Sequence, residues 1–255
     1  MPNKSLGQHW LHDKTALEAV AEAAGLEAGD VVLEIGPGLG TLTAVMLPKV
    51  ERVIAVELDS RLSKNLKLSF TGSLLEVVED DILNFNFNQL PPGYKVAANL
   101  PYYITAPTLQ KLAYDRNPPV QMGLLVQKEV AQRLSAGPGD LSILAVTVQN
   151  RYDVTAGLVV PAKLFKPVPK VDSQVISLRI RPKAVFGTEE VNIIKLVKAG
   201  FSNRRKTLVN SLSAARRGSK ETAAAQLKTI GAGEQVRAQE LSLPQWRRLY
   251  ELLGD

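Results

Sequence analysis

The chain has 255 residues, 45% of them hydrophobic and 22% charged, which is enough to bury a sizeable core and too apolar for a disordered chain. It holds no cysteine and only two histidines, His9 and His12, so disulfides, thiolate catalysis and cysteine- or histidine-rich metal centres are excluded and no metal is expected. The formal net charge is +6 and it is localised: residues 1–182 carry 18 Lys+Arg against 18 Asp+Glu, whereas residues 183–220 carry 9 against 2.

That asymmetry points to a polyanionic partner, nucleic acid before membrane. No run reaches the ~18 apolar residues of a membrane span. Met1 to His12 is polar and lacks the apolar core of a secretory signal, so the expected location is the cytoplasm, with no membrane partner.

In chain order, residues 14–24 read as an amphipathic helix stopped at Gly25. Val31–Ile35 is a short β-branched strand that runs directly into Gly36-Pro37-Gly38-Leu39-Gly40, and Thr41–Leu47 is a helix. Val53–Leu58 is a second buried strand, followed by a polar helix over 60–69 and a third strand at Leu75–Val78. Val96–Ala98 and Met122–Val126 are further strands, with helical patterns at 105–114 and after Lys128. Alternating strands and helices predict a parallel sheet covered on both faces. Leu141–Asn150 and Ser173–Ile180 read as long strands, predicted to form an antiparallel pair at the end of the sheet. From Glu189 onward the pattern is helical, at Val191–Ala199, Lys206–Ala215, Ala223–Ile230 and Leu243–Leu253. Arg181-Pro182 is the predicted domain boundary.

Strand, glycine-rich turn and helix is the nucleotide-site layout of doubly wound folds. The spacing here is G-x-G-x-G, at Gly36, Gly38 and Gly40, with Thr41 where a dinucleotide fingerprint has its third glycine. Glu57, 21 residues beyond Gly36, is placed to accept from both ribose hydroxyls, and Asp81 after the third strand to accept from an adenine amine. For Asp59 and Asp80 a ligand contact and an ordinary helix cap or loop acid are equally good readings. A ligand with adenine and ribose but no pyrophosphate fits, such as S-adenosylmethionine; NAD is the alternative.

Asn99-Leu100-Pro101-Tyr102 follows the fourth strand, over the edge of the sheet where such folds bind ligands. Asn99 brings a side-chain carbonyl acceptor and Leu100 a main-chain one. Pro101 restricts the turn, and Tyr102 offers a flat face for a base. Two acceptors aimed at the N–H groups of an exocyclic adenine amine favour a tetrahedral nitrogen and stabilise the positive charge that grows as a methyl group arrives. Phe165, between prolines and lysines, either pins its loop or receives a base.

The segments EIGPGLGTLT at 34–43, VIAVELD at 53–59 and NLPYYI at 99–104 resemble the KsgA/RsmA family of ribosomal RNA adenine dimethyltransferases. So do GQHWLHD at 7–13, QKEVAQRL at 127–134, FKPVPKVDS at 165–173, FSNRRKTLVNSL at 201–212 and AQELSLPQWRRL at 238–249. The resemblance implies a Rossmann-like class I methyltransferase domain over residues 1–181, with a mostly parallel seven-stranded sheet including an antiparallel strand. It also implies a small all-α RNA-binding domain over residues 182–255. The cofactor is then S-adenosylmethionine and the partner the small ribosomal subunit with its 16S rRNA. The product is N6,N6-dimethyladenosine at two adjacent adenines of a hairpin near the RNA's 3′ end, and the enzyme is expected to be a monomer.

By the same resemblance His9 and Leu11 lie along the cofactor, Gly36 with Gly38 and Gly40 at its methionine end, Glu57 and Leu58 at its ribose, and Asp81 and Ile82 at its adenine. Asn99 contacts both cofactor and target amine, and Tyr102 and Phe165 hold the flipped base between them. Two positions depart from the family: His9 stands where Asn is usual, and Trp10 stands where Phe is common, a change that keeps the packing. Lys163, Lys166 and Lys170 beside Phe165, with Arg204, Arg205, Lys206, Arg216 and Arg217 further on, are the residues expected to hold RNA phosphates. Two other readings remain: methylation of a large-subunit rRNA adenine, as in the related Erm enzymes, and a mainly non-catalytic factor in small-subunit assembly.

Overall fold

The computed structural model describes residues 8–215 and 219–254. It divides into two compact units, the first made of residues up to Gln132 together with Asp153–Ile180, the second of Arg133–Tyr152 and Arg181 onward.

The first unit is a doubly wound sheet. A short strand β1 (Trp10–Leu11) leads into helix α1 (Lys14–Ala23). Then follow β2 (Val31–Ile35), α2 (Thr41–Met46), β3 (Arg52–Glu57), α3 (Ser60–Ser69), β4 (Leu75–Glu79), β5 (Lys95–Asn99), α4 (Thr105–Tyr114), β6 (Gln121–Gln127) and α5 (Lys128–Leu134). After α6 (Ile143–Arg151) come β7 (Tyr152–Val160), β8 (Phe165–Lys166) and β9 (Ser173–Ile180). The main sheet has seven strands in the order β4-β3-β2-β5-β6-β9-β7. Strands β4, β3, β2, β5 and β6 run parallel to their neighbours, and β9 lies antiparallel to β6, with Leu124 opposite Ile176.

Local chemistry explains the elements. Asp13 caps α1 by accepting from the Ala16 amide at 2.9 Å. The apolar face of α1, with Ala16, Leu17, Val20 and Ala21, is buried. Gly123 in the middle of β6 lets this helix lie directly on the sheet: a Cβ there would sit 2.2 Å from the Val20 carbonyl oxygen and 2.4 Å from the Ala24 nitrogen. The central strands are apolar on both faces, as helix-covered parallel strands must be.

The sequence predicts a strand over Leu141–Asn150, and there the structure differs. This stretch is helix α6, started by Ser142, whose side chain accepts from the Ala145 amide at 3.1 Å. A short apolar run does not distinguish a buried strand from a buried helix, and the cap decides it locally. The antiparallel neighbour of β6 is β9, and the further strand is β7, an edge strand whose middle is exposed.

The second unit gathers α6 with α7 (Glu190–Gly200), α8 (Leu208–Ala214), α9 (Lys220–Thr229) and α10 (Leu243–Leu253). Leu141, Ala145 and Val146 share its core with Phe186, Leu196, Val197, Leu212 and Trp246. Asn150 is fully buried in it: its side chain accepts from the Phe186 amide at 2.8 Å and donates to Glu190 at 3.0 Å, and Arg151 pairs with the same carboxylate. Arg181-Pro182, predicted as the boundary, is therefore the last of several crossings, because Arg133–Tyr152 belongs with the helical unit.

Candidate active site

The segments that follow β2, β3, β4 and β5 line one cavity at the carboxyl ends of the parallel strands, with Gln8–Leu11 completing the wall. This is the edge where open α/β sheets bind ligands.

After β2 the chain turns through Gly36, Gly38 and Gly40 at φ values of +64°, +59° and +78°. These are left-handed conformations that glycine adopts without strain. Gly36 and Gly38 line the cavity. Gly40 does not: a Cβ there would meet the Phe70 ring at 2.6 Å and Leu66 at 2.8 Å, so its small size serves the packing of α3 rather than a ligand.

Glu57, at the end of β3, accepts from the Gly38 amide at 3.0 Å with one oxygen and from the Asp59 amide at 2.9 Å with the other. Burial pushes its carboxyl up, and these amide donors oppose the shift. Each oxygen keeps a lone pair for a hydroxyl donor. Asp59 caps α3 and pairs through both oxygens with Arg61, at 3.2 and 2.8 Å, which holds its carboxyl down at about 2. Beyond β4, Asp81 accepts from the Leu83 amide at 2.9 Å and Asp80 from the Asp81 amide at 2.7 Å. Leu58 and Ile82 line the wall between these acids.

Asn99 ends β5. Its side-chain amide nitrogen donates to the His9 carbonyl at 3.1 Å, so the oxygen Oδ1 is the acceptor it presents. The buried Leu100 donates its amide to the Leu125 carbonyl at 3.1 Å, and the Pro101 carbonyl accepts from the Ile104 amide at 3.2 Å. These bonds fix the turn. The Tyr102 hydroxyl is hydrogen-bonded to Ser173 at 2.9 Å, and burial pushes its pKa further above the phenol range, so it stays neutral.

His9 stacks on Tyr102, with ring centroids 5.8 Å apart and planes at 22°, and its Nδ1–H donates to the Pro167 carbonyl at 2.7 Å. β1 pairs antiparallel with β8, Leu11 opposite Phe165. Phe165 is 1% exposed and packs in the core with Leu11, Leu17, Leu42 and Val175. Of the two sequence readings of Phe165, the structure displays the pinned loop; the ring that stacks on Tyr102 is that of His9, and Phe165 does not line the cavity.

Lys163, Lys166 and Lys170 are exposed around β8. Arg204, Arg205 and Lys206 are exposed on the turn before α8 in the helical unit. Arg216 and Arg217 lie outside the described residues.

Among the lining residues that the sequence reading does not single out as site residues, three stand out for their chemistry. Tyr103 follows Tyr102 and is 56% exposed at the rim. Trp10, for which the sequence implies packing alone, also lines the cavity. Glu34 is a lone acid in the apolar strand VVLEI, and that isolation was the available signal. It is fully buried, bonded by the Thr43 hydroxyl at 2.6 Å, and burial aided by repulsion from Glu57 pushes it up to about 8. Among the described residues the lining holds Glu34, Glu57, Asp80 and Asp81 and neither Lys nor Arg. Such a field suits a cation that carries ribose and adenine, and disfavours a pyrophosphate.

The sequence pattern of the family "Ribosomal RNA adenine dimethylase" matches residues 2–255. The ribosomal RNA small subunit methyltransferase A of Rippkaea orientalis is 42% identical, covering 99% of this chain and 97% of that protein. Its namesake from Dehalococcoides mccartyi is 38% identical, covering 96% and 86%. Among solved structures, the 23S rRNA methyltransferase ErmE superposes with a TM-score of 0.80 at 28% identity, covering 96% of this chain and 100% of that one. A dimethyladenosine transferase from Plasmodium falciparum gives 0.80 at 28%, covering 94% and 96%. The likeness extends through the Asn-Leu-Pro-Tyr turn to both ends of the sequence, and the chain belongs to the ribosomal RNA adenine dimethylase family.

Proposed function

We propose that this protein transfers methyl groups from S-adenosylmethionine to N6 of two adjacent adenines in a hairpin near the 3′ end of 16S rRNA, within the small ribosomal subunit, giving N6,N6-dimethyladenosine during ribosome biogenesis. Methyltransferases of this family take their methyl group from S-adenosylmethionine. The observation that carries the reading is the orientation of Asn99: with its amide nitrogen held by His9, its oxygen is left to accept from an amine.

Glu57 would hold the ribose, Asp81 the adenine amine, Leu58 and Ile82 the faces of the ring, and Gly36, Gly38, His9 and Leu11 the methionine end. When bound, the cofactor supplies an electrophilic methyl group on a sulfonium cation. The chain's own residues supply orientation and charge stabilisation. Asn99 Oδ1 and the Leu100 carbonyl accept from the two N–H groups of the target amine, drawing its nitrogen toward tetrahedral geometry and stabilising the charge that develops on it. Tyr102 gives the base a flat surface. No strong base is needed before attack, because the amine's proton leaves after the nitrogen has become cationic. Exposed Lys163, Lys166 and Lys170, and separately Arg204, Arg205 and Lys206, supply phosphate contacts, while single-stranded bases supply selectivity.

The test is nucleoside mass spectrometry after incubation with S-adenosylmethionine and small subunits lacking these methyl groups. Appearance of N6,N6-dimethyladenosine is the expected result. Its absence with small subunits and its appearance with large-subunit RNA would replace this reading with the Erm-like one.

A further inference from the structure

A buried polar atom without a partner is costly, and in a binding site it marks a place prepared for a ligand. Among the described residues, several buried side-chain polar atoms lack a partner, and one of them, Trp10 Nε1, belongs to a residue that lines the cavity. The indole lies against the glycine loop: a Cβ built on Gly38 would be 3.5 Å from both Nε1 and Cδ1 of Trp10. The ring is held there by its own strand, since Trp10 pairs with Lys166 in the β1–β8 ladder and the next residue, Leu11, is buried in the core.

Strand order says which part of the ligand reaches this place. Along the sheet edge the segments run Asp81 after β4, Glu57 on β3, the glycine loop after β2, and Asn99 on β5. A nucleoside with adenine at Asp81 and ribose at Glu57 therefore extends its amino-acid end over Gly36 and Gly38, under Trp10. That end carries a carboxylate, which needs donors. Among the described residues the lining offers it neither Lys nor Arg, and its carboxylates are those of Glu57, Asp80 and Asp81, with Glu34 holding its proton. An indole N–H is a donor only. It can satisfy an anion and has nothing to offer an ammonium group.

We infer that Trp10 binds the carboxylate of the cofactor's methionine moiety through its indole N–H, a contact that rests on the proposed reading of the cavity as an S-adenosylmethionine site. Trp10 then does more than fill space: it contributes a neutral donor to a lining that holds no cationic side chain among the described residues, and it makes affinity depend on the ligand's carboxylate.

Calorimetry on the full chain and its Trp10→Phe variant tests this with three ligands: S-adenosylmethionine, decarboxylated S-adenosylmethionine and methylthioadenosine. Phenylalanine keeps an aromatic ring in place and removes the donor. The expected result is a roughly tenfold weaker Kd for S-adenosylmethionine in the variant, the size of a lost hydrogen bond to a charged group. The two ligands without a carboxylate should bind both proteins equally, which also shows that the variant's cavity is intact. In nuclear magnetic resonance spectra, the Trp10 indole proton, assigned by its loss in the variant, should move on addition of S-adenosylmethionine and stay in place with methylthioadenosine. Equal weakening for all three ligands, or no weakening for any, would overturn the inference and leave the cofactor site standing. Failure of the unaltered protein to bind S-adenosylmethionine would instead remove the proposed function, and this inference with it.

Discussion

Asn99 shows how much one side chain can depend on a distant partner. Its amide group has two ends of opposite character, and only the oxygen suits an incoming amine. The His9 carbonyl takes the nitrogen at 3.1 Å and so selects the end presented to the cavity. Replacing Asn99 by Ala should lower kcat by about 10²–10³-fold, the usual cost of one well-placed hydrogen-bonding group at a developing charge. Cofactor Kd should move far less, and single-turnover assays with separate calorimetry read the two apart. Full activity in Asn99→Ala would remove the role given to it. Glu34 makes a different residue-scale statement. Its folded-state pKa is raised to about 8 by burial, against an ordinary value of 4.5. The native state therefore holds its proton more tightly than the unfolded chain. The stability this group contributes is complete below pH 4.5 and is lost as pH rises through about 8. In Glu34→Gln that loss disappears. Urea melts between pH 5 and 8 should show the variant gaining on the unaltered protein by up to about 1.4 kcal/mol per pH unit. A constant difference across that window would mean that Glu34 is ionised when folded.

At the scale of elements, close approach of α1 to the sheet is what brings the Gln8–Leu11 segment to the cavity, because Asp13 starts the helix immediately after it. Gly123 permits that approach, and the atoms a Cβ would strike are main-chain atoms of α1. Gly123→Ala should destabilise the first unit by about 3 kcal/mol or more, the range for overpacking against groups that cannot rotate away. The midpoint of urea unfolding measures it, and a change within 0.5 kcal/mol, the range of an inconsequential substitution, would contradict the packing described. The segment 141–150 shows the limit of pattern reading at this scale. Its residues are apolar and partly β-branched, the composition of a strand, yet a serine cap and a partly polar end at Asn150 and Arg151 suit a helix in the second unit. β7, which follows it, carries apolar residues at every second position from Tyr152 to Val160, the pattern of a strand, although as an edge strand its middle is exposed.

For the whole molecule, the charge asymmetry sets the mode of partner recognition. Arg204, Arg205 and Lys206 sit exposed on a turn that is fixed by the Asn203 carbonyl accepting from the Lys206 amide at 3.1 Å. Replacing Arg204 and Arg205 by Ala should weaken RNA binding and reduce the slope of log K against log salt by up to about 2, near one per lost phosphate contact. Affinity for S-adenosylmethionine should be unchanged, since neither arginine lines the cavity. An unaltered salt slope in filter-binding titrations would take these residues out of the RNA interface. Among the described residues no helix is long and apolar enough to cross a membrane.

The sequence by itself determined the parallel core, the glycine loop, the acids that follow β3 and β4, and the Asn-Leu-Pro-Tyr turn. These are local: each depends on a strand's apolar run and the few residues after it, and the doubly wound topology then places every strand end on one edge. Tertiary structure decided the rest, because the remaining contacts join residues far apart in the chain. The His9 ring reaches Pro167, Asn99 reaches back to His9, and Phe165 turns into the core opposite Leu11. The burial that lifts Glu34, and the missing acceptor at the Trp10 indole N–H, come from how those segments pack around the cavity, and no spacing along the chain records them.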